Sequence, residues 1–346
     1  MGNCCKKKNG NEKEKEIYLV IPGLYNFEGN CYLNSIIQCF YYCKDLTNYF
    51  IDSRNKIIKK GGELSIAYLN LIEKLNKKEK YNDAKILFDA LQKLSSNFFK
   101  KGGNDPKAAL FYLLEDFHNE LKVENKDYNE KDIICEDLDQ NGAFQRCKNN
   151  EEKNKSIISE LFNLCILTKN KCKKCGYDHY ICEYQNNILI ELSKYKTKKE
   201  LVSLDDLIKF YFQEGEKSFI CNFGCNSDKE VFKVKFSKKI ISLPQYLIII
   251  LNRKIIQFNI KYGNDIDISD YCVNGNDGKY KFIGACLTND YKNKEGTHAI
   301  ARCMTSEGPY IFNDLITINN FQDCQGIKGY NPYILFYKKE FYFNNF

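Results

Sequence analysis

Apolar positions first recur with helical period just after residue 31. Leu33, Ile36, Ile37 and Phe40 fall at i, i+3, i+4 and i+7 and define one stripe. The residues before that run, Asn26-Phe27-Glu28-Gly29-Asn30, have turn chemistry with a glycine. The pattern therefore predicts that Cys31 stands at or near a helix N-terminus. Unpaired backbone N–H groups and the helix dipole favour an anion there, and so favour a thiolate. Helical patterning continues from about 17 to 120 and includes AALFYLLEDFHNEL at 108–121. Residues 122–156, rich in Asn, Lys, Glu and Asp, read as a loop or insertion. The period then changes. YLIIIL at 246–251, after Pro244, reads as a buried strand. KYKFIGACL, THAIARCM, PYIFND and YILFYKK follow as short apolar and aromatic segments between Gly and Asn turns. A helical first half and a strand-rich second half predict an α+β fold.

Composition narrows the class. The chain has 346 residues, 43% of them apolar, enough for one large domain or two ordinary ones with a real core. Fifty-two basic residues stand among 45 acidic ones, a net charge of +7, with no basic block of the kind that grips nucleic acid. No stretch of 18 apolar residues predicts a membrane span, and no apolar N-terminal run predicts a signal peptide. The expected location is cytoplasmic. Seventeen cysteines in such a chain read as free thiols, a metal site or a catalytic residue, not as a disulfide framework. Most of them, including Cys39 and Cys43 on the Cys31 helix, are expected to be buried structural thiols.

A cysteine nucleophile needs a base, and the chain offers three histidines. His118 lies in the predicted helix beside Leu110, Leu114 and Phe117, where it reads as a packing residue. His179 follows a cysteine pair within four residues and belongs to that local site. His298, in KEGTHAIARC, stands where a turn meets a strand, a placement that suits a base brought to Cys31 by folding. Asn313 and Asp314, in YIFNDL, end an aromatic segment and offer an amide or a carboxylate to orient the imidazole. The alternative is that these positions are ordinary turn residues and Cys31 a buried thiol. A second constellation is NKCKKCGYDH with Cys172 and Cys175, followed by SFICNFGCNS with Cys221 and Cys225. Paired C-x₂₋₄-C knuckles of this kind read as one tetrahedral, structural Zn²⁺ site, against the alternative of four unrelated thiols. His179 and Cys182 are nearby spare ligands.

Taken together, these residues resemble the ubiquitin-specific protease family of papain-like cysteine peptidases. GLYNFEGNCYLNSIIQCFYYCKDLTNYF at 23–50 resembles the family's cysteine box, and the segments from KFIGACL to YILFYKK at 281–339 resemble its histidine box. The resemblance implies a catalytic domain over 17–339, with a thumb at about 17–150, zinc-bearing fingers at about 151–235 and a strand-rich palm at about 236–339. It implies Cys31 as nucleophile, His298 as base, Asn313 as third member with Asp314 as helper, and Asn26 as the oxyanion donor. It also implies hydrolysis of isopeptide or peptide bonds at the C-terminal glycine of ubiquitin or of ubiquitinated proteins. The chain departs from the family at Glu28, where a glycine is usual, at Ala299, where Tyr is usual, and at Lys107 and Leu110, where acids that help hold ubiquitin's basic tail are usual. Those last departures leave two alternatives, a peptidase for another ubiquitin-like modifier and a catalytically weak ubiquitin-binding module.

The polar residues 1–16 and 340–346 read as tails. MGNCCKKK places Gly2 for myristoylation, Cys4 and Cys5 for palmitoylation, and three lysines toward anionic lipid. Two such signals together suffice to hold a chain on the cytoplasmic face of a membrane.

Overall fold

A computed structural model of the chain describes residues 21–79, 81–94, 105–123, 139–221, 225, 231–253, 258–275, 277–289, 298–319, 327 and 329–340. The acylation positions Gly2, Cys4 and Cys5 lie outside these residues, as do the tails at 1–16 and 341–346. Among the described residues no helix is long and apolar enough to cross a membrane.

Helices dominate the first half as the periodicity predicts: α1 (Cys31–Tyr42), α2 (Lys44–Asp52), α3 (Arg54–Lys60), α4 (Glu63–Asn76), α5 (Lys85–Leu94) and α6 (Pro106–Leu121). Asp105 starts α6 by accepting a hydrogen bond from the Lys107 N–H at 2.9 Å, and Pro106 takes the first position, where no N–H is needed. All of α1 is buried, not only its apolar stripe. Burial of a Leu, Ile or Phe side chain contributes roughly 1.5–3 kcal/mol. The stripe therefore anchors α1 in the core whatever its polar residues do.

Two more helices, α7 (Gln140–Lys153) and α8 (Ile157–Phe162), precede the strands. Helix α7 corrects, over 140–153, the loop or insertion expected over 122–156; residues 124–138 of that stretch lie outside the described residues. Its sequence, QNGAFQRCKNNEEK, buries only Ala143 and Cys147, so it shows almost no apolar period. Its start is fixed by Asp139, whose carboxylate accepts from the Gly142 N–H at 2.8 Å.

The remaining elements are β1 (Leu164–Cys172), β2 (Asp178–Gln185), β3 (Ile188–Glu191), β4 (Leu201–Ser203), α9 (Leu204–Phe212), β5 (Gly215–Ile220), β6 (Val231–Ser242), β7 (Tyr246–Asn252), β8 (Asn259–Lys261), β9 (Asp265–Asp267), β10 (Lys279–Asn289), β11 (Ala299–Thr305), β12 (Gly308–Asn313), β13 (Ile316–Asn319) and β14 (Tyr330–Lys339). The large sheet runs β13-β12-β11-β10-β14-β7-β3, with β9 on β10. Strand β7 explains its own continuous apolar run. Tyr246, Ile248 and Ile250 enter the core shared with the helices, while Leu247, Ile249 and Leu251 enter a second core on the other face with α9. A separate four-stranded sheet, β2-β1-β6-β5, carries both cysteine pairs at one end.

Candidate active site

Cys31 is the first residue of α1, which packs against α6, β10 and β11. The turn before it bends at Glu28 (φ 53°) and Gly29 (φ 83°), two consecutive left-handed positions, and closes when the Asn30 N–H donates to Phe27 O. Glycine meets the second position without strain, whereas glutamate at the first carries a steric cost. The Asn30 side chain pins the turn from inside by accepting from the Phe27 N–H at 2.9 Å.

His298 sits at the start of β11. Its backbone N–H donates to Asn289 Oδ1 at 2.7 Å, and its carbonyl accepts from the Asn289 N–H at 3.1 Å. Its ring meets Asn313, the last residue of β12, through Nε2 and Asn313 Oδ1 at 2.7 Å. That contact leaves Nδ1 as the ring nitrogen for the Cys31 thiol. The hydrogen bond with Cys31 is the largest influence on His298 and raises its pKa to about 9. Burial opposes the rise, while the Asn313 hydrogen bond and the charges of Cys31 and Asp314 assist it.

Asp314 occupies the turn after β12 with φ 54°. Its carboxylate accepts from Asn26 Nδ2 at 2.9 Å and from Asn34 Nδ2 at 3.0 Å, and lies 3.9 Å from His298 Nε2. Its first partners are thus the two asparagines, which tie the turn before Cys31 to the strand end that holds Asn313. Asn34 also donates to the Leu24 and Tyr25 carbonyls and accepts from Asn30. Backbone completes the tie, because the Leu24 N–H donates to Asp314 O at 3.0 Å.

Gly23 makes that approach possible. A Cβ there would stand 2.4 Å from Asp314 O and 2.7 Å from Leu315 Cα. Gly23→Ala should therefore force the two segments apart and cost about 1–3 kcal/mol of stability. Chemical denaturation measures it; a midpoint equal to that of the wild type would refute the close approach.

Sequence reasoning missed Asn34, Gly23 and Asn289. Asn34 left a signal, a polar residue with no exposed face inside an apolar helix, and so did Ser35 and Gln38. Ser35 Oγ donates to Tyr32 O and meets Cys286 Sγ at 3.1 Å, and Gln38 donates to Pro22 O.

Among the described residues the metal candidates divide into two groups. Cys172 and Cys175 flank the β1–β2 turn, and Cys221 and Cys225 follow β5. The four sulfur atoms lie within 4.8 Å of one another, with Cys172–Cys225 at 3.8 Å and Cys175–Cys221 at 3.6 Å. Tetrahedral thiolates with zinc–sulfur bonds of about 2.3 Å stand about 3.8 Å apart, so this group fits a metal ion. His179 packs its ring on Phe219, with centroids 5.0 Å apart. Cys182 is not a spare ligand here: it points to the opposite end of β1, beside Cys147 and Cys165. His118 lies in α6 with Nδ1 on Ser156 Oγ at 2.8 Å.

Comparison with known proteins identifies relatives of this chain. Relatives include mouse and human ubiquitin carboxyl-terminal hydrolase 32, each 29% identical over 45% of this chain and 10% of the relative. Usp2 of Drosophila melanogaster is 21% identical over 92% of this chain and 34% of its own length. A probable ubiquitin carboxyl-terminal hydrolase 4 of Schizosaccharomyces pombe is 25% identical over 67% of this chain and 41% of its own. The chain thus spans less than half the length of each of these relatives. A chain of the yeast SAGA DUB module, and a chain of the SAGA DUB module bound to monoubiquitin, each share the fold at a TM-score of 0.66 and 16% identity, over 92% of this chain and 68% of that one. The family model described as ubiquitin carboxyl-terminal hydrolase matches residues 22–337, and the chain belongs to that family.

Proposed function

We propose that this chain is a thiol-dependent deubiquitinase that cleaves the bond after the C-terminal glycine of ubiquitin. The observation that carries the reading is the placement of the His298–Asn313 pair, 2.7 Å apart, against the thiol that heads α1. Cys31 Sγ attacks the glycine carbonyl carbon as a thiolate, and His298 holds the proton that the thiol gave up. Negative charge gathers on the carbonyl oxygen. Asn26 spends one Nδ2 hydrogen on Asp314 and turns the other toward that oxygen, beside an N–H from the first turn of α1, which lacks an intrahelical acceptor. His298 then protonates the departing amine, the thioester forms, and His298 draws a proton from the water that hydrolyses it. Asn313 orients the ring throughout.

A raised His298 pKa predicts the pH profile. The competent state is a thiolate beside an imidazolium, so kcat/KM for a ubiquitin C-terminal fluorogenic substrate should fall on the alkaline side near pH 9. Removing the Asn313 hydrogen bond takes away a contact that raises the pKa. Asn313→Ala should therefore shift that limb downward and lower the rate on the order of 10–10³-fold. An unmoved limb would remove Asn313 from this role. The same group links stability to pH. A folded pKa above the usual 6.5 stabilises the fold fully below pH 6.5, and that contribution is lost as pH rises through about 9.

The thumb, fingers and palm partition and a structural zinc on Cys172, Cys175, Cys221 and Cys225 belong to the same reading. Four thiolates fill a tetrahedral ion, so the metal would serve folding and leave no position for substrate. A second reading has one specific observation in its favour. Lys107, where the family has an acid, places its ammonium on Asn252 Oδ1 at 3.1 Å, and the Asp105 carboxylate is already occupied by the Lys107 N–H and the Tyr333 hydroxyl. A modifier with a less basic tail than ubiquitin would suit that surface. Turnover of matched fluorogenic substrates built on ubiquitin and on other modifiers decides between them.

A further inference from the structure

A second set of thiols stands apart from the knuckles. Cys147 on α7, Cys165 on β1 and Cys182 on β2 bring three sulfur atoms from three elements within 4.8 Å of one another. Cys165 Sγ lies 3.0 Å from Cys182 Sγ and 3.9 Å from Cys147 Sγ. Cys147 and Cys165 are buried, and Cys182 is half-buried.

A disulfide and a metal ion compete to explain so close a set. The antiparallel register puts Cys165 opposite Tyr184 and Cys182 opposite Leu167, so the two strand cysteines are diagonal neighbours. Diagonal positions have Cα atoms about 7–8 Å apart, at or beyond the span a disulfide closes without backbone movement. A disulfide would also leave the Cys147 thiol unused. A zinc ion asks for thiolates about 3.8 Å apart, which only requires the closest pair to part slightly.

Two further features point to an ion. A cavity of about 870 Å³ borders the set, with Cys147, Cys182, His118, Glu151 and Glu183 in its wall. It supplies both an approach path and room for a fourth ligand. The second feature is α7 itself. Its 14 residues bury only Ala143 and Cys147, too little apolar surface to hold a helix firmly against β2. A metal bond through Cys147 would supply what its packing lacks.

We propose that Cys147, Cys165 and Cys182 bind a second zinc ion through three thiolates, with the fourth position open to the cavity, and that this ion staples α7 to the β1–β2 hairpin. Three thiol protons leave to solvent as the ion binds. Elemental analysis of the purified full chain tests it. Wild type should carry two equivalents of zinc, and Cys182→Ser and Cys147→Ser should each carry one. Cys172→Ser/Cys175→Ser should also lose one, from the other site, so each site fails or stands separately. The proposal is overturned if both Cys182→Ser and Cys147→Ser keep the wild-type content. Should those variants fail to fold, alkylation of the wild type by iodoacetamide decides. Cys147 and Cys182 should resist it with zinc present and react after chelation; a pattern that chelation does not change overturns the proposal.

Discussion

Cys31→Ala should abolish hydrolysis of a ubiquitin C-terminal amide while leaving ubiquitin binding in place. The thiol is the only atom of the site that forms a bond to substrate in the proposed mechanism. Ser35, one helical turn further on, has its hydroxyl committed to Tyr32 O and Cys286. The expected loss is on the order of 10⁴-fold or more in kcat. His298→Ala should be nearly as severe, because both the stored proton and its delivery to the leaving amine depend on that ring. The double variant should be little worse than either single one, since residues that act as a unit are grossly non-additive. Binding of unmodified ubiquitin, measured separately, keeps a folding defect from imitating the result. Residual turnover by Cys31→Ala would remove it as the nucleophile.

Asn26→Ala should lower kcat by ~10²–10³ with little change in KM, as expected for an oxyanion donor that acts mainly in the transition state. The structure adds a condition. Asn26 is aimed by Asp314, whose carboxylate takes one Nδ2 hydrogen at 2.9 Å and holds Asn34 with its other oxygen at 3.0 Å. Asp314→Ala takes the carboxylate that aims Asn26 away, leaves Asn34 with its contacts to Leu24, Tyr25 and Asn30, and removes a negative charge that helps keep His298 protonated. It should therefore lower kcat at least as much as Asn26→Ala and also move the alkaline limb downward. Combined, the two substitutions should fall well short of the product of their separate effects, because they share one contact. Independent, multiplicative losses would mean that Asp314 does not act through Asn26.

Much of this site was legible in the sequence because its signals are local. The stripe from Leu33 to Phe40 and the turn at Glu28-Gly29 place Cys31 at a helix start, and the strands around His298 and Asn313 show as short apolar runs between turns. What the sequence hid is the long-range polar wiring. Nothing in spacing says that Asn34 would reach across to Asp314, or that Gly23 is held to a residue without a side chain by the Asp314 carbonyl. Helix α7 was hidden for another reason. Periodicity reports apolar burial, and a helix with two buried positions leaves almost none to detect. Cys182 reads as part of the knuckle next to it, but strand direction carries it away from Cys172 along the sheet, toward Cys165.

In the proposed mechanism Cys31, among 17 cysteines, is the reactive thiol. A ubiquitin derivative with a C-terminal vinyl electrophile, incubated with the wild-type chain and followed by peptide mass mapping, tests it directly. A single adduct on Cys31 is expected, lost in Cys31→Ala and strongly slowed in His298→Ala. An adduct on any other cysteine, or labelling that survives Cys31→Ala, would contradict it.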